Sequence, residues 1–380
     1  MKIVIIDHEP FSERKRQHYY LDQFLQHGVN VEYWDVSKAL DYSKHVHYSY
    51  QSNHSVVRVF CDYRSLLLAI SELENKTTVI VLEIFFRIST FSLFKAIGKQ
   101  GLKWSRINYY QNPVAAFADL PTTSQQLRKT LDVKFLWNKL NLLYLNKNAD
   151  VSQPNLLFLT GNSKPANNVK TVSLDFFDVE EYECLLLHAE KPLVNGPYIV
   201  FLDVMFASHP DLKRLNKKTV NEDVYYSKMC SFFDNIERLY NKPIIIASHP
   251  KANYNNEYGN RIVIKEATAR LVKDSDLVIT HGSLSISYAL LAQKPLLYVY
   301  FEEMLKTETL RGYYRRMEKA CEKLGAGLYN IDSEFNLLNV PKVDNRRYRA
   351  FLEEVYVKSS SDRRSNFEII LDNLLSLLNE

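Results

Sequence analysis

Short apolar runs separated by amphipathic stretches dominate the second half of the chain. Three of them, Ile244–Ala247, Leu277–Thr280 and Leu296–Val299, show no polar alternation, and Arg261–Ile264 is a weaker fourth. Such runs are too short for free-standing helices and are typical of parallel strands covered on both faces. Because helical patterns lie between them, the region predicts an α/β repeat with right-handed crossovers.

The first half of the chain shows the same alternation. Its predicted strands are Lys2–Ile6, Val29–Trp34, Val56–Phe60, Thr78–Ile84, Ser105–Tyr110, Asn155–Thr160 and Val169–Ser173. Its predicted helices are Ser12–His27, Ser65–Leu73, Phe91–Lys99, Thr122–Leu145 and a helix from about Asp178. This order again indicates a parallel sheet, so residues 1–190 are predicted to form one Rossmann-like domain.

A linker and a second domain are predicted after residue 190. His188–Gly196 contains Pro192 and Gly196, which favour a connecting segment. Residues 197–360 are predicted to form the second Rossmann-like domain, and residues 361–380 a C-terminal helix. The remaining predicted elements are a strand at Pro197–Leu202, helices near Val220–Tyr240 and Glu302–Leu324, a strand at Gly327–Ile331, and helices near Arg346–Tyr356 and Arg364–Leu378. The predicted fold class is α/β, with two Rossmann-like domains whose parallel sheets face a cleft.

Polar residues follow the predicted strands of the second domain where such sheets bind ligands. His249, Pro250 and Lys251 come directly after one strand, and the stretch Thr280–Ser285 ends the next and opens a helix. The carboxyl ends of parallel strands and the free N–H groups of a helix start both suit a phosphate. The alternative is that the serines only cap the helix and Pro250 only stiffens a turn. The predicted donor-binding residues are His249, Pro250, Lys251, Thr268, His281, Gly282, Ser283 and Ser285.

Composition narrows the class of protein. The chain has 380 residues, 46% of them hydrophobic, with 25 Tyr and 20 Phe, so it is not a disordered chain. A net charge of +4 is too small to argue for nucleic acid. The four cysteines form no CxxC pair, so they indicate neither a disulfide framework nor a zinc site, and a reducing cytoplasm fits them. The amino-terminal run turns polar too early for a signal peptide, and no apolar run is long enough for a membrane helix.

Two motifs resemble those of a known enzyme group. The segment Ile244–Lys251 resembles the His-Pro motif of bacterial sialyltransferases and Kdo transferases, and Thr280–Ser285 resembles their Ser/Thr-rich phosphate motif. Phe201–Asp203 with His209–Asp211 resembles a segment of nonulosonate transferases from surface-polysaccharide loci. The resemblance covers Pro197–Val299. It implies the GT-B arrangement of two Rossmann-like domains, in which these segments contact a CMP-activated sugar.

The chain also departs from that group. It lacks the Asp/Glu-Asp-Gly tripeptide that supplies the base in several sialyltransferase families, and it has no Asp-x-Asp motif at a plausible metal loop. Asp274-Ser-Asp276 has the spacing but reads as a turn between a helix and a strand. We therefore expect an enzyme that uses no metal and no cofactor besides its nucleotide-sugar donor, with protein groups neutralising the leaving phosphate.

Glycosyl transfer needs a carboxylate as base or nucleophile. The predicted catalytic residues are Asp203, Asp211 and His209, which share the loop after the first strand of the second domain. Asp203 as base would give inversion, and Asp203 as nucleophile would give retention. The alternative is that Asp203 caps a turn. Glu9 and Glu83, at strand ends of the first domain, are reserve bases.

The leading hypothesis is a cytoplasmic glycosyltransferase that transfers a nonulosonate such as sialic acid or Kdo from a CMP-linked donor to a glycan or lipid-linked acceptor. Two basic-aromatic segments, Arg311–Arg316 and Arg346–Arg349, suggest peripheral contact with the inner membrane, although both are also consistent with solvated helix faces. Competing hypotheses are a UDP- or GDP-sugar transferase or epimerase, and a non-catalytic sugar-nucleotide-binding subunit. The sequence does not predict the oligomeric state.

Overall fold

The computed structural model describes residues 1–40, 55–108, 140–141, 143–144, 147, 153–162, 169–188, 191–208, 220–335, 338–358 and 362–379. These residues form two compact units. The first contains the described residues up to Leu174 together with the C-terminal helix, and the second runs from Asp175 to Lys358. The division therefore falls before the predicted boundary near residue 190. The predicted helix Thr122–Leu145 lies mostly outside the described residues.

The first unit is built on a seven-stranded parallel sheet. Its strands are β1 (Lys2–Asp7), β2 (Asn30–Asp35), β3 (Val57–Val59), β4 (Thr78–Glu83), β5 (Lys103–Asn108), β6 (Leu156–Thr160) and β7 (Thr171–Leu174). Their order across the sheet is β3-β2-β1-β4-β5-β6-β7, and β1 is in register with β2 and β4, pairing Ile3 with Val31 and Val79. Since the chain adds strands first on one side of β1 and then on the other, the order reverses between β1 and β4.

One helix that the sequence predicts in the first unit is divided into two helices in the structure. The described helices before β5 are α1 (Glu13–His18), α2 (Leu21–Gln26), α3 (Tyr63–Ser71) and α4 (Phe91–Lys99). The predicted helix Ser12–His27 breaks at Tyr20, whose φ of 53° is left-handed and cannot continue a right-handed helix. The break lets Tyr20 bury its ring against Phe367, with the ring centroids 6.1 Å apart.

The C-terminal helix belongs to the first unit. This helix, Asn366–Asn379, packs against β4 and β5 and buries Ile370, Leu374 and Leu377 in the same core as β1. Its Phe367 lies edge-to-face with Phe24 of α2 at 5.2 Å. Burying such side chains stabilises the unit by about 1.5–3 kcal/mol each, so the segment is an integral part of that core.

The second unit is built on a six-stranded parallel sheet. Its strands are β8 (Ile199–Leu202), β9 (Ile244–Ser248), β10 (Val263–Lys265), β11 (Leu277–Thr280), β12 (Leu296–Tyr300) and β13 (Gly327–Asn330). The order is β10-β9-β8-β11-β12-β13, and every residue of β8, β9 and β11 is buried. Here the order reverses between β8 and β11. Both sheets therefore have the Rossmann arrangement that the sequence predicts.

Helices cover the second sheet. They are α5 (Phe177–Leu187), α6 (Glu222–Tyr240), α7 (Thr268–Asp274), α8 (Ile286–Leu291), α9 (Glu303–Lys306), α10 (Glu308–Leu324) and α11 (Asn345–Val355), and the C-terminal helix of the first unit is α12. Helix α5, predicted in the first domain, packs in the second unit, where Ser287 donates to Asp178 and Tyr288 donates to Glu181 at 2.6 Å. The predicted helix near Glu302–Leu324 is divided at Thr307, whose hydroxyl caps α10.

Within the described residues, none of the helices is both long enough and apolar enough to cross a membrane.

Candidate functional site

The point where the strand order reverses in the second sheet brings three loops together. Strand β8 lies between β9 and β11, so the loop after β8 is flanked by the loops that follow β9 and β11. In open α/β sheets the crevice outside such a point is the usual ligand site. The residues that leave these strands are Asp203, His249 and His281.

Asp203 ties the loop after β8 to the loop after β9. Its Oδ1 accepts hydrogen bonds from the backbone N–H of Met205 at 2.9 Å and from the hydroxyl of Tyr258 at 3.0 Å. Its Oδ2 accepts from the backbone N–H of His249 at 3.2 Å and from the hydroxyl of Tyr254 at 2.5 Å. The side chain is buried. Four donors therefore satisfy a buried carboxylate.

The two tyrosines are fixed as donors. Burial, followed by the charge of Asp203, raises the pKa of Tyr254 well above its ordinary value. Burial also raises the pKa of Tyr258, with Tyr225 and Asp203 adding to the effect. Because both hydroxyls stay protonated, they donate to Asp203 throughout the physiological range. This geometry makes Asp203 an anchor of two loops, and its predicted role as base or nucleophile stays a prediction.

The His-Pro segment forms a tight turn after β9. Nδ1 of His249 accepts a hydrogen bond from the backbone N–H of Lys251 at 3.1 Å, so in the neutral ring the proton is on Nε2. His249 and Lys251 are partly buried and Pro250 is exposed. The turn thus places His249 and Lys251 two residues apart, directly after one strand.

The loop after β11 is organised by its own hydroxyls. The Thr280 oxygen accepts from the backbone N–H groups of Gly282 at 3.1 Å and Ser283 at 2.9 Å. The Ser283 oxygen in turn accepts from the backbone N–H of Ser285 at 3.2 Å. Gly282 has a φ of 96°, which side-chain-bearing residues rarely adopt. The hydroxyls therefore take up N–H groups that the sequence assigned to a phosphate, and Ser285 makes no cap bond with its side chain.

His281 lies in the interior beneath this loop. Its Nδ1 donates to the carbonyl of Val299 at 2.6 Å, and its Nε2 is buried without a hydrogen-bond partner in the described part of the chain. Burial lowers the pKa of His281 to about 4, so the ring is neutral at pH 7. Phe201, Phe206 and Tyr225 surround it at centroid distances of 5.4–5.6 Å. The ring therefore supports the loop from the interior of the unit. Because His281 is buried, the structure does not support its predicted contact with a donor.

The remaining predicted site residues lie outside the three loops or outside the described ranges. Thr268 is the first residue of α7, which follows the edge strand β10. His209 and Asp211 lie outside the described residues, and their predicted catalytic roles stay predictions.

The first unit has a charged cluster at the corresponding edge of its own sheet. Asp7, at the end of β1, is fully buried and accepts from Lys15 at 2.8 Å and from the Tyr19 hydroxyl at 2.8 Å. Lys15 also pairs with Glu9 at 2.8 Å. Burial of the Asp7 carboxyl raises its pKa. The charges of Lys15 and His8 lower the pKa by more, so the net shift is downward. Asp7, Glu9 and Lys15 therefore form an ion-pair network within the first unit.

Glu83, at the end of β4, differs from Asp7 in the direction of its pKa shift. It accepts a hydrogen bond from the backbone N–H of Ile107 at 2.8 Å. Burial raises the pKa of Glu83 to about 8, against the opposing charge of Arg106. A carboxyl group that exchanges its proton near neutral pH has the property expected of a general acid or base.

Sequence reasoning missed the partners of the site. Tyr254 and Tyr258 bond to Asp203, and their spacing of four residues was the one available signal, because it is compatible with two side chains on one face of a turn. Across the described ranges, no group of three or more His, Cys, Asp or Glu side chains has an arrangement suited to a metal ion.

No protein-family model and no curated protein matches the sequence. Among solved structures, the wall teichoic acid polymerase TagF is similar with a TM-score of 0.51 at 12% identity, covering 100% of this chain and 89% of the polymerase chain. The chain has the GT-B fold. Spinosyn forosaminyltransferase SpnP matches over 100% of both chains with 12% identity and a TM-score of 0.48, and Acinetobacter baumannii MurG over 99% of both with 11% identity and 0.42. At such identities the likeness concerns the fold alone.

Proposed function

We propose that this chain is a glycosyltransferase that binds a nucleotide sugar at the carboxyl edge of its second sheet. One observation supports this most directly: at the point where the strand order reverses, hydrogen bonds connect the loops after β8 and β9 and also connect the ends of strands β8 and β11. Asp203 accepts from His249, and Thr280 donates to the carbonyl of Leu202 at 3.4 Å. The GT-B fold, which TagF shares, is compatible with the proposal.

Three side chains in these loops suit a phosphate. The Ser283 oxygen is already an acceptor for Ser285, so its proton is available to donate. In His249 the turn places the proton of the neutral ring on Nε2. Lys251 adds a positive charge two residues later. We propose that these groups neutralise the leaving phosphate without a metal ion. We therefore expect the enzyme to remain active in excess EDTA.

The finer proposal is a CMP-linked nonulosonate donor. It rests on the resemblance of Ile244–Lys251 and Thr280–Ser285 to the sialyltransferase and Kdo transferase motifs. For the acid–base group, Asp203 remains the first candidate.

A nucleotide screen tests the proposal. We expect CMP to raise the melting temperature of the purified protein more than UDP or GDP does, because a ligand that binds only the native state stabilises it. CMP-linked sugars should then release CMP in the presence of a glycan acceptor. A larger shift with UDP or GDP would contradict the CMP assignment but keep the transferase. Failure of all three nucleotides to bind would contradict the proposed function itself.

A further inference from the structure

The basic segment Arg311–Arg316 is part of α10. All six of its residues are partly buried. Arg311 donates to the carbonyl of Leu305 from Nε at 3.1 Å and from a terminal nitrogen at 2.8 Å. Arg315 has contacts of its own. This leaves Arg316 as the arginine of the segment whose binding partner has to be identified.

Arg316 has an aromatic neighbour, and no anion lies beside it among the described residues. Its guanidinium carbon lies 4.4 Å from the centroid of the Tyr313 ring, and its Nε is shielded from solvent without a hydrogen-bond partner among the described residues. Burial lowers the pKa of Arg316, and no carboxylate among the described residues contributes to this shift. Withdrawing a charge from water is unfavourable unless a partner compensates for it.

Arg261 shows what this unit does with a buried guanidinium elsewhere. Its side chain is 10% exposed, and it bonds to Asp234 at 2.5 Å and to Glu237 at 2.7 Å. Two carboxylates thus compensate one buried arginine. Arg316 lacks the equivalent partners in the described part of the chain, which is the state expected of an arginine whose anion is a ligand.

Arg316 lies beside the loops proposed to bind the donor. The Tyr313 ring that it covers is 5.8 Å from the ring of Phe206, which is itself 5.4 Å from that of His281. The next residue, Met317, approaches Gly282 so closely that a Cβ on the glycine would lie 3.6 Å from Met317 Cγ. Helix α10 therefore packs directly on the loop after β11 and on the turn after β8.

We propose that Arg316 binds the phosphate of the nucleotide held by the second unit. This inference rests on the proposed function, and it adds a residue that neither motif contains. A guanidinium stacked on a ring is oriented to give paired hydrogen bonds to phosphate oxygens. A lipid surface is a poorer match, because the group is partly buried against Tyr313.

The test compares nucleotides with their nucleosides. Calorimetry should measure CMP, UDP, cytidine and uridine on the parent protein, on Arg316→Met and on Arg316→Lys, with Arg315→Met as the matched control from the same turn. We expect Arg316→Met to weaken binding of the nucleotide by about ten- to a hundredfold, the scale of a hydrogen bond to a charged group, and to leave the nucleoside unchanged. Arg316→Lys should fall between the two, and Arg315→Met should bind as the parent does.

Thermal shift with inorganic phosphate provides the second readout. Without ligand, Arg316→Met should melt no lower than the parent, because the substitution removes an uncompensated charge. If the parent binds nucleotides and Arg316→Met binds them equally well, the inference is overturned and the proposed function stands. If no nucleotide binds but phosphate stabilises the parent and not Arg316→Met, the anion site stands and the proposed function fails. Absence of both effects overturns both.

Discussion

Asp203→Asn should reveal whether the carboxylate is an anchor. The substitution keeps the size and shape of the side chain but replaces one acceptor oxygen with an amide that can only donate. Each carboxylate oxygen now receives one backbone N–H, from Met205 or from His249, and one tyrosine hydroxyl, from Tyr258 or Tyr254. A hydroxyl can turn to accept from the amide, but a backbone N–H cannot.

The magnitude follows from that count. Whichever way the amide faces, one buried backbone N–H loses its acceptor, at a cost of about 1–3 kcal/mol. The other donors lose the extra strength of bonds to a charged oxygen. Together we expect Asp203→Asn to lower the free energy of unfolding by about 2–4 kcal/mol. Asp234→Asn is the control, since that side chain is 62% exposed and Glu237 still pairs with Arg261, so the loss should be at most about 1 kcal/mol.

Urea unfolding followed by circular dichroism measures both variants, and calorimetry measures their affinity for CMP. Loss of stability together with loss of affinity would fit an anchor that holds the loops after β8 and β9. If Asp203→Asn is as stable as the parent and binds nucleotide normally but transfers no sugar, the reasoning from the hydrogen bonds is refuted. The carboxylate would then be the base or nucleophile that the sequence predicts.

Three further predictions concern single side chains. Burial raises the pKa of Glu83 from 4.5 to about 8, so its contribution to stability is full below pH 4.5 and is lost as the pH rises through 8. The free energy of unfolding measured from pH 5 to 9 should therefore fall by at most about 5 kcal/mol, and Glu83→Gln should abolish this fall. An unchanged slope in the variant would refute the prediction. His281 has the opposite sign, since its lowered pKa of about 4 gives stability that is present above pH 6.5 and lost as the pH falls through 4; His281→Phe should remove up to about 3 kcal/mol of acid sensitivity in the same assay, and a parent-like acid profile would contradict it. Ser283→Ala should weaken nucleotide binding by about 1–2 kcal/mol in calorimetry, whereas unaltered affinity would mean that the hydroxyl only supports the loop.

The sequence by itself determined the elements and the fold class. Continuous apolar runs such as Ile244–Ala247 and Leu277–Thr280 can be covered on both faces only inside a sheet between helices, and each predicted strand has a counterpart within a few residues. Polar residues directly after those runs had to lie at the carboxyl edge. These inferences needed only the order of residues along the chain, since periodicity and strand length are local properties.

Tertiary structure alone decided which of these residues meet. The chain does not reveal that β8 separates β9 from β11, that helix Asn366–Asn379 returns to the first sheet, or that α5 packs in the second unit. Asp203 acquires its tyrosine partners 51 and 55 residues later, and only a folded chain shows that a carboxylate has four donors. For Arg316 the informative fact is that no counter-ion lies beside it in the part of the chain that the structure describes. A sequence does not show whether a charged side chain is removed from water, because long-range packing in the folded chain decides it.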